Sequence, residues 1–78
     1  MRLEFHGGLR DFFSGTKDLE VAGPLPAGQL LQLLQQENPL ASNLLQNTRL
    51  ADNERILDNA DLLQPACTYH LLPPPGGG

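Results

Sequence analysis

One helix-length amphipathic segment lies between two stretches that alternate like β-strands, and this order leaves few ways to build a core. Leu30, Leu31, Leu33 and Leu34 recur at helical spacing among glutamines, which predicts a single main helix from about Ala27 to Glu37. Pro26 suits its first turn and Asn38-Pro39 its end. Before it, Arg2 to His6 alternates polar and apolar, and Asp18 to Ala22 does so again with Leu19 and Val21 on one face. A short turn near Ser14-Gly15 joins these strands into a hairpin. After the helix, Leu40 to Gln46 holds a further helical turn. Thr48 to Asp52 reads as a strand that turns at Asn53-Glu54 into a short fourth strand, Arg55 to Leu57. Asp58 to Leu63 reads as a 3₁₀ or loop segment, and Cys67 to Leu72 as the last strand, stopped by prolines. The expected class is α+β, with the helix on one face of a mixed five-stranded sheet.

The chain has 78 residues, enough for one small domain with a modest core. Its net charge is −4, and its five basic residues are scattered. Nucleic acid is therefore not an expected partner, because its recognition needs a basic stripe or patch. The longest apolar runs fall far short of the roughly 20 residues that cross a bilayer. No membrane partner is expected. Met-Arg-Leu-Glu-Phe at the start has no apolar signal region. The single cysteine, Cys67, excludes an internal disulfide and fits a reducing compartment. A cytoplasmic location is the expectation.

A catalytic centre is hard to assemble from these residues. If the first and last strands are neighbours, His6 and His70 share an outer face, whereas Cys67 and His70 differ in strand parity and point apart. The histidines are expected to be solvated sheet residues, with no metal site, no bound cofactor and no enzyme activity of the chain's own. Ser14-Gly15-Thr16-Lys17 lacks the first glycine and the spacing of a phosphate loop. The end of the chain is chemically more distinctive. Leu71-Leu72 leads into Pro73-Pro74-Pro75 and then Gly76-Gly77-Gly78. Glycines tolerate close backbone approach and can enter a channel that a Cβ would block. Extended, the segment from Pro73 spans roughly 20 Å. It can carry an ionised carboxylate on Gly78 into another protein's active site. That carboxylate is a poor electrophile and needs activation by an enzyme before any nucleophile attacks it.

With these residues in view, the whole chain resembles the ubiquitin-like β-grasp proteins. It is most similar to their sulfur carriers: the small subunit of molybdopterin synthase and its relatives in thiamine and cysteine biosynthesis. Leu3, Phe5, Leu9, Arg10 and Phe12-Phe13 match the opening strand and turn of that group. Pro73-Pro74, then Pro75-Gly76, then Gly77-Gly78 match its Pro-Pro-x-x-Gly-Gly ending. The chain departs from the group before its last strand, where Ala66-Cys67-Thr68 stands in place of the common Gly-Asp-Glu.

The resemblance implies a β-grasp body over residues 1–72 and a flexible tail over 73–78. Gly78 would be adenylated with ATP by an E1-like enzyme and converted to a thiocarboxylate. A desulfurase or rhodanese-type donor would supply the sulfur, and an acceptor synthase would consume it. Pro73, Pro74 and Pro75 would hold the tail off the body, while Gly76 and Gly77 thread the channel. His6, Thr68, His70 and Leu72 would form the partner-binding face. The alternative within the same fold is a protein modifier joined through Gly78 to lysines of its targets.

Overall fold

The computed structural model describes residues 1–75, so Gly76, Gly77 and Gly78 lie outside the described residues. The elements are β1 (Arg2–Phe5), a 3₁₀ helix (Gly7–Asp11), β2 (Thr16–Asp18), β3 (Leu25–Pro26) and α1 (Ala27–Glu37). There follow a second 3₁₀ helix (Pro39–Ala41), α2 (Ser42–Gln46), β4 (Arg49–Ala51), β5 (Ile56–Leu57), β6 (Leu62–Leu63) and β7 (Thr68–Leu72). Five strands form one mixed sheet in the order β2-β1-β7-β4-β5, and β3 pairs with β6 in a separate two-stranded ladder. Among the described residues, only the β1–β7 pair is parallel, with Leu3 opposite Tyr69 and Phe5 opposite Leu71.

Strand parity sorts the sheet into two faces. Leu3, Phe5, Leu50, Leu57, Tyr69 and Leu71 are buried on the inner face, against Ala27, Leu30, Leu31 and Leu34 of α1. Leu45 of α2, Leu9 of the first 3₁₀ helix and Leu63 of β6 close the same core. Phe5 also stacks on Phe13 at a ring separation of 4.5 Å, which ties the long β1–β2 connection to that face.

The helix occupies the expected span, but its apolar face is narrower than expected. Leu33 is 42% exposed. At 100° per residue it lies well off the line through Leu30 and Leu34, so it cannot reach the sheet. No side chain caps the N-terminus of α1. Instead, the Ala27 N–H donates to the Asp61 carbonyl at 2.9 Å and the Gly28 N–H to the Asn59 carbonyl at 3.0 Å. These bonds satisfy backbone donors that the first turn of a helix leaves without partners. Loop 58–61 therefore acts as the cap.

Three expectations need correction. The first two strands are joined not by a short turn but by residues 6–15, which include the 3₁₀ helix that buries Leu9. The second strand is Thr16–Asp18 rather than Asp18–Ala22. Its register sets Asp18 opposite Arg2, and the Leu19 N–H donates to the Met1 carbonyl at 2.8 Å. Beyond that, among the described residues, 20–22 pair with no strand, because they run past the end of β1. Finally, the 58–63 segment is not all loop: Leu62 and Leu63 pair with Pro26 and Leu25. Two residues are too few to show an alternation in sequence.

Two carboxylates brace the β4–β5 end. Asp52 accepts the N–H groups of Glu54 and Arg55 at 2.8 and 2.9 Å, closing the turn. Asp61 accepts the Asp58 N–H at 2.7 Å and an Arg55 guanidinium N–H at 3.3 Å. These bonds favour the ionised forms and hold both carboxyls below the ordinary 3.8. On the other flank, the Gln64 N–H donates to the Tyr69 hydroxyl at 2.7 Å, and burial pushes that phenol above its ordinary 10.0.

Replacement of Leu71 by Ala should cost about 2–5 kcal/mol, read from urea unfolding, and half-buried Leu72→Ala clearly less. Equal losses would refute the assignment of the faces. A carboxyl pKa lowered by folding stabilises the protein above its unfolded value, and that contribution is lost as pH falls through the folded value. Titration of the carboxyl carbons by NMR should therefore place Asp52 and Asp61 below 3.8. Values at or above it would contradict the two turns.

Candidate docking face and tail exit

The last strand carries Thr68, His70 and Leu72 and leads into Pro73. β7 is the central strand, bonded to β1 on one side and β4 on the other. Its inner residues, Tyr69 and Leu71, are buried, while Thr68, His70 and Leu72 are half-buried on the open face. Arg2, Glu4 and His6 stand on the same open face from β1. The His6 N–H donates to the Leu71 carbonyl at 3.2 Å and so extends the parallel ladder by one residue. The assignment of faces thus agrees with the expected parity.

The expected contact residues are not equally placed. His6, His70 and Leu72 cluster at the end of β7 from which the chain leaves. Thr68 lies opposite Arg2 at the other end of the strand, roughly 13 Å from Leu72 along it. His6 Nε2 and His70 Nδ1 are 3.1 Å apart, and their rings are tilted at 36°. His70 Nε2 is 3.4 Å from Asn53 Oδ1 in the β4–β5 turn. The Glu4 carboxylate completes a group of three, with one ligand atom from each residue within 4.8 Å of the others. Cys67 is exposed and free, just ahead of β7.

The start of the tail is packed rather than standing off the body. Pro73 and Pro74 are half-buried and Pro75 is exposed. They line an open groove of about 730 Å³ together with Gly7, Phe12, Leu40 and Leu44. This differs from the expectation that all three prolines hold the tail away. Gly7 explains the fit. Its φ is +55°, and a Cβ there would lie 3.0 Å from Pro73 Cγ, so glycine is needed both for the backbone and for the contact.

Leu40, 85% exposed, and Phe12, 38% exposed, are apolar groove residues that sequence reasoning left out. A leucine directly after the helix-ending Asn38-Pro39 was the available signal. Its neighbours Ala41 and Leu45 are buried, which leaves Leu40 on the outside of the turn. Among the described residues, no helix is long and apolar enough to cross a membrane.

Comparison with known proteins supports the architecture. No family model matches the chain, and no curated protein sequence is significantly similar to it. Among solved structures, the chain is similar to SAMP1 from Haloferax volcanii, with a TM-score of 0.76 and 21% identity. The match covers 100% of this chain and 98% of that one. At this identity the likeness is one of fold, and the fold is the ubiquitin-like β-grasp.

Gly7→Ala should lower stability by about 1–2 kcal/mol through the left-handed backbone alone, and should also displace Pro73. Gly8 has an ordinary φ and only a 3.4 Å contact to Leu44 for an added Cβ, so Gly8→Ala should cost less than half as much. Urea unfolding of both variants decides this, and equal effects would contradict the packing of Pro73 on Gly7.

Proposed function

We propose that this protein is a sulfur carrier whose chemistry resides on the Gly78 carboxylate. The supporting observation is the exit of the tail: in a ubiquitin-like β-grasp fold, the doubly bonded central strand β7 leads directly into Pro73-Pro74-Pro75-Gly76-Gly77-Gly78. A strand bonded on both sides is a rigid base from which to present a terminal group. An E1-like enzyme binds the open face around His6, His70 and Leu72, and Gly76 and Gly77 thread its channel. A Gly78 carboxylate oxygen attacks the α-phosphate of ATP and releases pyrophosphate. The persulfide of a desulfurase or rhodanese-type donor then attacks the Gly78 acyl carbon and displaces AMP to give an acyl disulfide. A thiol of the activating enzyme or donor attacks the donor-side sulfur, forms a disulfide with it, and releases the thiocarboxylate for an acceptor synthase. The chain contributes the substrate carboxylate and the docking surface, while the activating enzyme contributes ATP and the catalytic groups.

Incubation with the activating enzyme, ATP and a sulfide source should raise the intact mass by about 16 Da, as sulfur replaces one oxygen. Gly77→Ala should leave the melting temperature unchanged yet slow this conversion, because the added Cβ obstructs the channel. An unchanged mass, with full partner binding retained after deletion of Gly77-Gly78, would reject the carrier reading. High-mass conjugates in cells that require an intact terminus would favour the modifier instead.

A further inference from the structure

We propose that Glu4, His6 and His70 form a binding site for one divalent transition-metal ion that favours imidazole, with Zn²⁺ as the best fit. The site is a product of the parallel β1–β7 pairing. Glu4 lies directly opposite His70 in the register, and Glu4 and His6, two apart on one strand, project to the same face. Three side chains that are up to 66 residues apart in sequence (Glu4 to His70) thus converge on one region of the open sheet.

The distances suit an ion. With a Zn–N bond of about 2.0–2.1 Å, two imidazole nitrogens 3.1 Å apart subtend an angle of about 98° at the metal. At that angle the ion lies about 41° off the line joining the two nitrogens, so the rings turn to aim their lone pairs at it. A Glu4 carboxylate oxygen lies within 4.8 Å of one nitrogen of each histidine and has to swing inward by on the order of 1 Å to reach bonding distance.

The surroundings also orient a ligand. Asn53 Oδ1 can only accept a hydrogen bond, so its approach to His70 Nε2 places the imidazole proton on Nε2 and turns the lone pair of Nδ1 toward His6 and Glu4. Metal-bound histidines commonly have their second nitrogen held by such an oxygen. Two imidazoles and one carboxylate select Zn²⁺ over Mg²⁺ or Ca²⁺, which prefer all-oxygen sites. Three protein ligands leave a coordination position open toward solvent, where water or a donor atom of another protein completes the tetrahedron. Cys67 is excluded from the site by opposite strand parity, and it lies roughly 10 Å from His70 along the chain.

The proposal is independent of the tail chemistry and is tested on the full-length, untagged protein. Titration with Zn²⁺ should saturate at one equivalent, raise the melting temperature, and shift the imidazole NMR signals of both His6 and His70. Those are the only two histidines of the chain, so the signals are unambiguous. His6→Gln and His70→Gln should each weaken binding at least tenfold while leaving the far-UV circular dichroism unchanged. Glu4→Gln and Asn53→Ala should each weaken it severalfold, and Mg²⁺ should shift nothing. Absence of saturable Zn²⁺ binding would overturn the site. So would parent-like affinity in the two histidine variants, or loss of binding on Cys67→Ser.

Discussion

The parallel pairing of β1 with β7 is the interaction on which the rest of the molecule depends. It joins the start of the chain to its end and makes β7 the middle of the five-stranded sheet. Parallel neighbours need a long crossover. Here the whole chain between Phe5 and Thr68 supplies it, with α1 lying across the inner face. Leu3, Phe5, Tyr69 and Leu71 enter the core together because this register puts them on one side. The same register sends Glu4, His6, His70 and Leu72 to the other side. The core and the proposed docking face are therefore two faces of one ladder.

A small core of this kind has little stability to spare, and much of it is secured by local devices at the ends of elements. The carbonyls of Asn59 and Asp61 cap α1, Asp52 closes the β4–β5 turn, and the Asn38 side-chain amide donates to the Phe12 carbonyl at 3.0 Å. Each bond satisfies a backbone group that would otherwise lose a partner on burial or at a chain reversal. These devices occupy the two ends and the inner side. Pro73 and Pro74 leave β7 along the rim of the open face.

Much of the architecture was legible in the residues. The helix span, the strand character of both chain ends, the Asn53-Glu54 turn and the facing of Tyr69 and Leu71 all follow from periodicity and breakers. The two-residue ladder of β3 and β6 did not, because its pairing is decided by contact with the start of α1 rather than by local pattern. The true extent of β2 depended on where β1 ends. The groove role of Phe12 and Leu40 was not legible, since exposure is a property of the packed molecule and not of a single side chain.

Sequence by itself determined the order of the main strands and helix and the parity of the first and last strands, because these rest on spacing. Tertiary structure alone decided three things. Pro73 packs beside Gly7, the rim of the tail exit becomes an apolar groove, and ligand atoms of two histidines and a glutamate converge to within 4.8 Å of one another. All three require residues from opposite ends of the chain to share one ångström-scale neighbourhood. Only the closed β1–β7 ladder, with the core packed beneath it, brings them there.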